Sequence, residues 1–315
     1  RHAARRLWHA RAFSLVAIVT LALGAGATTA IFSLLNTLLW RPLPVREPRE
    51  LVRVVLTHLP PGERHWVDGR PVPALERDAM SHIMYEALRR RGERLFSNSF
   101  VLAGRGEIHV EHRGTPRQVR FAVASGSVWE TLGLEPRAGR FYGPADDVPG
   151  GRPGSANWPA VISEGLWERL FQRSPGALGE VITVDSVPFV VIGVAPARFE
   201  GVSPGSPVDL WLPLMSSEAV FPLFKWRLDP SVANLRVFAR LAPAVDYAHA
   251  EGQLAAVAPA VMEDALEPGA NADQKRHLRA MHLEPRPAAS GFPHFGHVLF
   301  TRPLLQQHTP CSLGS

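Results

Sequence analysis

A possible catalytic serine is Ser203, which lies in the run GVSPG at residues 201–205. The spacing fits the Gly-x-Ser-x-Gly pattern, which in α/β-hydrolases places a nucleophilic serine on a sharp turn between a strand and a helix. Pro204 and Pro207 disfavour a helix directly after Ser203, because proline lacks the backbone N–H donor and clashes inside a helix. Hydrolysis by Ser203, in a membrane-anchored protein, is therefore an alternative hypothesis and not the leading one.

Histidines and carboxylates at short spacing are the other candidates for chemistry. His109, Glu111 and His112 fall in a predicted strand, where residues three apart point to opposite faces and do not share a metal ion. His294 and His297 lie in a Gly/Pro-rich segment with no third candidate ligand nearby in the sequence. These spacings predict neither a metal site nor a cofactor.

Nucleotide and nucleic-acid binding are also disfavoured. The sequence has no Gly-x-x-x-x-Gly-Lys-Ser/Thr run, so it lacks a P-loop for ATP. The net charge of +5 rests on 34 basic residues, of which only Lys225 and Lys275 are lysines, and aromatic residues are not interleaved with them as a base-stacking surface requires. Cys311 is the single cysteine, so no intrachain disulfide forms.

An uncharged stretch at residues 12–40 is long enough to cross a membrane. A helix needs about 20 apolar residues to span a bilayer, and this stretch exceeds that length. A cleaved signal peptide is the alternative, since residues 5–11 are rich in arginine and residues 25–27, AGA, resemble a cleavage site. The apolar run continues past that site to Trp40, which favours a transmembrane helix. Cleavage near Ala27 would instead release a secreted binding domain.

The residues around this predicted helix indicate an orientation and a packing face. Arginines flank both ends equally, but a long domain is exported largely regardless of its charge, which leaves residues 1–11 in the cytoplasm. Ala22, Gly26 and Ala30 recur every four residues and predict a small-residue stripe that lets another membrane helix approach closely. Trp8 and Trp40 bracket the span and suit the two membrane interfaces.

The sequence after residue 40 alternates between strand and helix patterns, without a βαβ phosphate loop. This mixture predicts an α+β fold with two subdomains interleaved in sequence. Predicted strands cover residues 51–56, 107–112, 117–123, 160–162, 181–184, 189–194, 208–212, 235–241 and 278–283, and predicted helices cover 81–91, a short helix ending near 133, 164–171 and 247–266.

Local signals mark several of the predicted boundaries. Ser127 and Glu130 have capping-box spacing at the head of the short helix. Ser163 is a predicted N-cap of the helix that follows it. Asp146 and Asp147 come soon after a Gly-Pro pair and indicate a turn. Asp185-Ser186 is a predicted hairpin turn between the strands at 181–184 and 189–194.

Five segments of the sequence resemble, in order, the MacB-like and FtsX-like permeases of ABC transporters. Residues 13–36, FSLVAIVTLALGAGATTAIFSLLN, resemble the first transmembrane helix of the duplicated orphan permeases of acidobacterial type. Residues 41–54, RPLPVREPRELVRV, resemble the exit from that helix into the periplasmic core domain. Three further blocks resemble that domain: 133–142 (GLEPRAGRFY), 161–171 (VISEGLWERLF) and 179–201 (GEVITVDSVPFVVIGVAPARFEG).

This resemblance implies a non-enzymatic permease subunit of the bacterial inner membrane. Residues 12–40 would anchor a periplasmic core domain at residues 41–300, made of a porter-like βαβ subdomain and an inserted, mostly β subdomain. The implied partners are other permease helices or a second permease copy, a separate cytoplasmic ATPase and membrane lipid. The family implies that ATP-driven helix movement is converted into periplasmic motion.

Residues 301–315 depart from the family pattern. The pattern leads us to expect a second long apolar helix after RPLL at 302–305, whereas the sequence continues with QQHTPC at 306–311. A polar segment that contains proline does not span a membrane. The sequence therefore predicts a truncated permease fragment or a frameshifted gene with an aberrant tail.

Overall fold

One mixed sheet of ten strands carries most of the structure. The computed structural model describes residues 15–16, 18–29, 42–58, 65–67, 70–72, 79–151, 154, 157–221, 234–266, 269 and 271–291. The strands are β1 Leu51–His58, β2 His65–Val67, β3 Arg70–Val72, β4 Phe96–His112, β5 Thr115–Ala124, β6 Ala138–Gly139, β7 Trp158–Ile162, β8 Val181–Val184, β9 Val187–Val194, β10 Leu210–Pro213, β11 Arg236–Leu241 and β12 Met281–Pro287. Strands β2 and β3 form a separate pair.

Six α-helices accompany the strands in the described part after residue 42. They are α1 His82–Arg91, α2 Val128–Leu132, α3 Glu164–Phe171, α4 Ser217–Val220, α5 Tyr247–Asp264 and α6 Ala272–Arg279. Short 3-10 turns occupy Pro48–Glu50, Pro175–Ala177 and Leu214–Ser216. This mixture of helices and strands confirms the predicted α+β class at the level of composition.

The long strand β4 joins an open part of the sheet to a closed ring of strands. Its first half pairs with β11, which continues through β1 to the edge strand β12. Its second half pairs with β5, and the order β4-β5-β10-β7-β9-β8 returns to β4 at Val110 and Glu111. The ring leaves its six strands with neighbours on both sides. The predicted division into two subdomains stays a prediction.

Alternating residues of β4 feed two hydrophobic clusters on opposite faces of the sheet. Val101, Ile108 and Val110 belong to the larger cluster, which fills the ring and continues under α1 and α5. Phe100 and Leu102 belong to the second cluster, which packs α2 against the other face. Residues 100–102 alternate between the two clusters with the period of two of a strand, and the register shift between Leu102 and Gly104 returns Ile108 and Val110 to the face of Val101.

The local signals of the sequence are mostly confirmed. Ser163 accepts a hydrogen bond from the backbone N–H group three residues later, as predicted for an N-cap, and Ser81, at the start of the predicted helix 81–91, does the same. The turn between β8 and β9 has positive φ at Asp185 (43°) and Ser186 (75°), which is the geometry of a tight two-residue hairpin. The predicted turn at Asp146 also forms, since its backbone N–H donates to the Gly143 carbonyl at 3.0 Å.

Two of the sequence predictions are wrong. Ser127 does not cap α2: its backbone is helical and its hydroxyl instead donates to the Ser99 carbonyl oxygen at 2.6 Å. The segment 278–283, predicted as a strand, is split between the end of α6 at Arg279 and the start of β12 at Met281. The first error arises because the neighbouring strand β4 offered the Ser127 hydroxyl a partner that the local pattern did not contain.

Candidate functional site

A cleft of about 540 Å³ opens between α1, the start of β4, the turn before α2 and the turn at residues 144–147. One wall is formed by α1, the other by the β5–α2 turn at residues 125–127, the 144–147 turn and the residues after β10. The polar residues that line the cleft include Tyr85, Glu86, Ser99, Ser125, Ser127, Glu130 and Asp147. The cleft therefore draws on segments that are far apart in sequence.

Asp147 lies at the junction of three of these segments. Its Oδ2 accepts a hydrogen bond from the Gly126 backbone N–H at 2.8 Å, and its Oδ1 accepts one from the Met215 backbone N–H at 2.7 Å. Burial raises the pKa of the Asp147 carboxyl to about 6, although the backbone donors oppose that shift. Asp147 thus ties the turn before α2 to the segment after β10.

Hydroxyl groups line the wall beside Asp147. Ser127 Oγ donates to the Ser99 carbonyl oxygen at 2.6 Å, and Ser125 Oγ accepts from the Val101 backbone N–H at 3.0 Å. The Tyr85 hydroxyl approaches Ser99 at 3.5 Å, and burial raises its pKa. These hydroxyls hold the end of β5 against β4, so they position the cleft wall.

Charged side chains of α1 form the rim. Glu86 pairs with Arg89 at 2.9 Å, and Arg91 forms an ion pair with Asp264 of α5, also at 2.9 Å. Exposed pairs of this kind contribute little stability. The Arg91–Asp264 pair joins α1, which forms one wall of the cleft, to α5.

The C-terminal end of α2 is held by a buried arginine that the sequence analysis did not single out. Arg240 on β11 is 3% exposed and donates from Nε to the Thr131 carbonyl oxygen at 2.9 Å. Its two terminal nitrogens donate to the Arg46 and Glu47 carbonyl oxygens and to Glu50 Oε2. One sequence feature could have identified it: Arg240 lies among apolar residues of a predicted strand, where a buried charged side chain needs a partner.

The predicted nucleophile Ser203 does not form a nucleophile elbow. It is buried in the loop between β9 and β10, and residues 204–209 continue as turn and coil to the strand at Leu210. An elbow requires a helix immediately after the serine, and none follows Ser203. The local geometry therefore does not support hydrolysis at this residue.

The histidine candidates do not come together. His109 is exposed, whereas His112 packs on Phe171 with ring centroids 4.6 Å apart and approaches Glu180 at 3.4 Å. No group of three or more His, Cys, Asp or Glu residues is placed to hold a metal ion within the described ranges. His294 and His297 lie outside those ranges.

The predicted membrane segment is described only in part. Residues 15–16 and 18–29 are helical, while Ala30, Trp8 and Trp40 lie outside the described residues. Within the part of the chain that the structure describes, no helix combines the length and the hydropathy that a membrane span needs. A Cβ built at Gly26 meets no heavy atom within 4 Å, so the predicted packing stripe has open space there.

A protein-family comparison decides the relationship. The model of the MacB-like periplasmic core domain matches residues 14–257. The chain belongs to this family. This MacB-like domain also matches the macrolide export ATP-binding/permease protein MacB of Burkholderia thailandensis, with 39% identity over 54 residues. That alignment covers 17% of this chain and 8% of the Burkholderia protein, and the MacB of Burkholderia pseudomallei matches to the same extent.

One solved structure shares the fold of the MacB-like domain, and a second is similar in part. A domain of a putative permease from Porphyromonas gingivalis superposes with a TM-score of 0.53 at 15% identity, covering 78% of this chain and 92% of that one. The periplasmic region of MacB from Actinobacillus actinomycetemcomitans gives a TM-score of 0.46 at 14% identity, covering 69% and 87%. At these identities the Porphyromonas match shows the fold alone.

Proposed function

We propose that this chain is the periplasmic part of an ABC-type permease subunit, held at the inner membrane by residues 12–40 and without a catalytic centre of its own. The match of residues 14–257 to the MacB-like periplasmic core domain carries this proposal. Domains of this family belong to transporter permeases, so the partners we propose are other permease helices or a second permease copy, and a separate cytoplasmic ATPase.

Exposed apolar side chains support the membrane anchor. In the helical residues 18–29, Ile18 is 64%, Leu21 74% and Leu23 69% exposed. Such a row of large apolar side chains is unfavourable in water and favourable in lipid. These residues precede, in the sequence, the segment that begins at residue 42.

The proposed activity is to pass movement of membrane helices to the periplasmic domain. The two hydrogen bonds of Asp147, which join the turn before α2 to the segment after β10, favour movement of these segments together. The absence of a nucleophile elbow at Ser203 favours a non-enzymatic role. ATP hydrolysis would take place on the separate ATPase subunit, since this sequence has no P-loop.

Alkaline carbonate extraction of bacterial membranes tests the anchor. The full chain should stay in the membrane pellet, and a Leu21→Arg/Leu23→Arg variant should shift to the soluble fraction, because each arginine opposes insertion by about 3 kcal/mol. Val181→Arg is the matched control, since Val181 is 44% exposed on β8. Release of the unmodified chain, or a mature N-terminus directly after Ala27, would refute the anchor and favour the secreted binding domain.

A further inference from the structure

The segment between the proposed anchor and β1 is fastened to the folded domain rather than linked loosely to it. Leu43 is buried and its backbone N–H donates to the Ala289 carbonyl oxygen at 2.7 Å. The Arg46 backbone N–H donates to the Leu132 carbonyl oxygen, at the end of α2, at 3.0 Å. Any displacement of this segment therefore acts on α2.

Arg240 is the centre of this attachment. Its guanidinium donates at 2.6 Å to the Arg46 carbonyl, at 3.1 Å to the Glu47 carbonyl and at 3.0 Å to Glu50 Oε2, while Nε binds the Thr131 carbonyl. One buried side chain therefore joins the entry segment, the last turn of α2 and strand β11. A lysine cannot replace it, because an ammonium has fewer donors and no planar fork.

The opposite end of α2 forms part of the cleft wall. Helix α2 has only five residues, and the turn before it is bound to Asp147 through the Gly126 N–H. A Cβ at Gly126 would lie 2.5 Å from backbone atoms of Gly143, so this turn has no room to slide against the 143–147 loop. A short helix packed at both ends moves as a unit.

We propose that Arg240 is the joint through which the entry segment at residues 42–50 moves α2 and the cleft wall at residues 125–130. Tension on the entry segment is carried by the guanidinium and the Arg46–Leu132 bond to α2, and from there to the Asp147-bound turn. This proposal rests on the proposed function for the source of the movement. The connection itself is a property of the folded domain.

Hydrogen exchange of the full chain in detergent micelles tests the joint. In Arg240→Met, the amides of Arg46 and Glu50 should exchange at least tenfold faster, and the amides of Gly126 and Val128, at the far end of α2, should also accelerate. Amides in the ring strands should be unaffected. Arg198→Met, an exposed arginine in the β9–β10 loop, is the matched control and should change none of them.

A second variant measures the coupling in the other direction. Asp147→Asn should accelerate exchange of the Arg46 amide in the normal chain, because coupling between two sites is reciprocal. It should not accelerate that exchange further in the Arg240→Met background, where the joint is already lost. Faster exchange confined to residues 46–50 would overturn the proposal and leave Arg240 as a local fastening.

If Arg240→Met accelerates the exchange of every amide, the milder variant Arg240→Lys distinguishes a specific joint from general destabilisation of the fold. Loosening of both ends of α2 with the ring strands protected supports the joint, and uniform acceleration overturns it. The experiment does not depend on membrane insertion. Failure of the joint is therefore distinguishable from failure of the anchor, which carbonate extraction measures.

Discussion

The two ends of helix α2 are held by side chains of opposite charge in different ways. At the C-terminal end, Arg240 is almost completely buried and donates to three backbone carbonyls and one carboxylate. At the N-terminal end, Asp147 faces the cleft and accepts two backbone N–H bonds. Burial raises the pKa of Asp147 to about 6. The carboxyl group at the cleft end of α2 therefore changes its charge near neutral pH.

The comparison also shows how close packing replaces helix length. A five-residue helix has almost no stability of its own, since helix nucleation is costly. Trp129 of α2 packs in a stacked arrangement on Phe141, with ring centroids 4.0 Å apart, and edge-on to Trp211 at 5.3 Å. The helix exists because its ends and its aromatic face are occupied by partners from distant segments.

Gly126→Ala should have the largest effect, at the cleft end. The new Cβ would lie 2.5 Å from the Gly143 carbonyl group and 2.6 Å from the Pro144 nitrogen, so backbone must move. We expect a loss of about 3 kcal/mol in the free energy of unfolding, measured by urea denaturation with tryptophan fluorescence. Gly143→Ala is the control, because a Cβ there meets nothing within 4 Å. Equal effects of the two variants would show that the turn is not tightly packed.

Asp147→Asn should remove a pH dependence of stability. The folded pKa of about 6 lies above the unfolded value of 3.8, so the folded state binds the proton more tightly. The contribution of Asp147 is therefore most favourable below about pH 4 and is lost as the pH rises through 6. Between pH 4 and pH 7 it changes by about 2 kcal/mol.

Denaturation midpoints at pH 4 to 7 measure this slope. The slope assigned to Asp147 should disappear in Asp147→Asn and persist in Asp185→Asn, which changes an exposed carboxylate in the β8–β9 turn. An unchanged slope in Asp147→Asn would mean that Asp147 titrates no differently in the folded and unfolded chain.

Gly133→Ala should give the smallest effect relative to its control, at the Arg240 end. Gly133 has φ of 63°, and a Cβ there would lie 2.5 Å from Arg46 Cβ. Gly114 has φ of 77° with open space around it, so Gly114→Ala measures the conformational cost alone. We expect about 1 kcal/mol for Gly114→Ala and about 1 kcal/mol more for Gly133→Ala, from thermal unfolding. If Gly133→Ala is no worse than its control, the entry segment is not packed against α2.

Most elements of the fold could be predicted because their causes are local. Ser81 and Ser163 cap their helices, and the Asp185-Ser186 turn closes its hairpin, because each needs only residues a few positions away. The prediction failed at Ser127, where the hydroxyl binds the Ser99 carbonyl of another strand instead of its own helix. The order of strands in the ring was not predicted either, since it depends on pairings such as β8 with the end of β4.

The sequence by itself determined the α+β mixture, the helix caps, the hairpin turns and the resemblance to MacB-like permeases, since these rest on residues adjacent in the chain. The site was decided only by the tertiary structure. Arg240 bonds Arg46 across 194 positions, and Asp147 bonds Met215 across 68. The sequence indicated a turn at Asp147, and that turn forms. A turn does not reveal which backbone N–H groups will lie beside it, because these groups come from distant segments that meet only when the sheet forms.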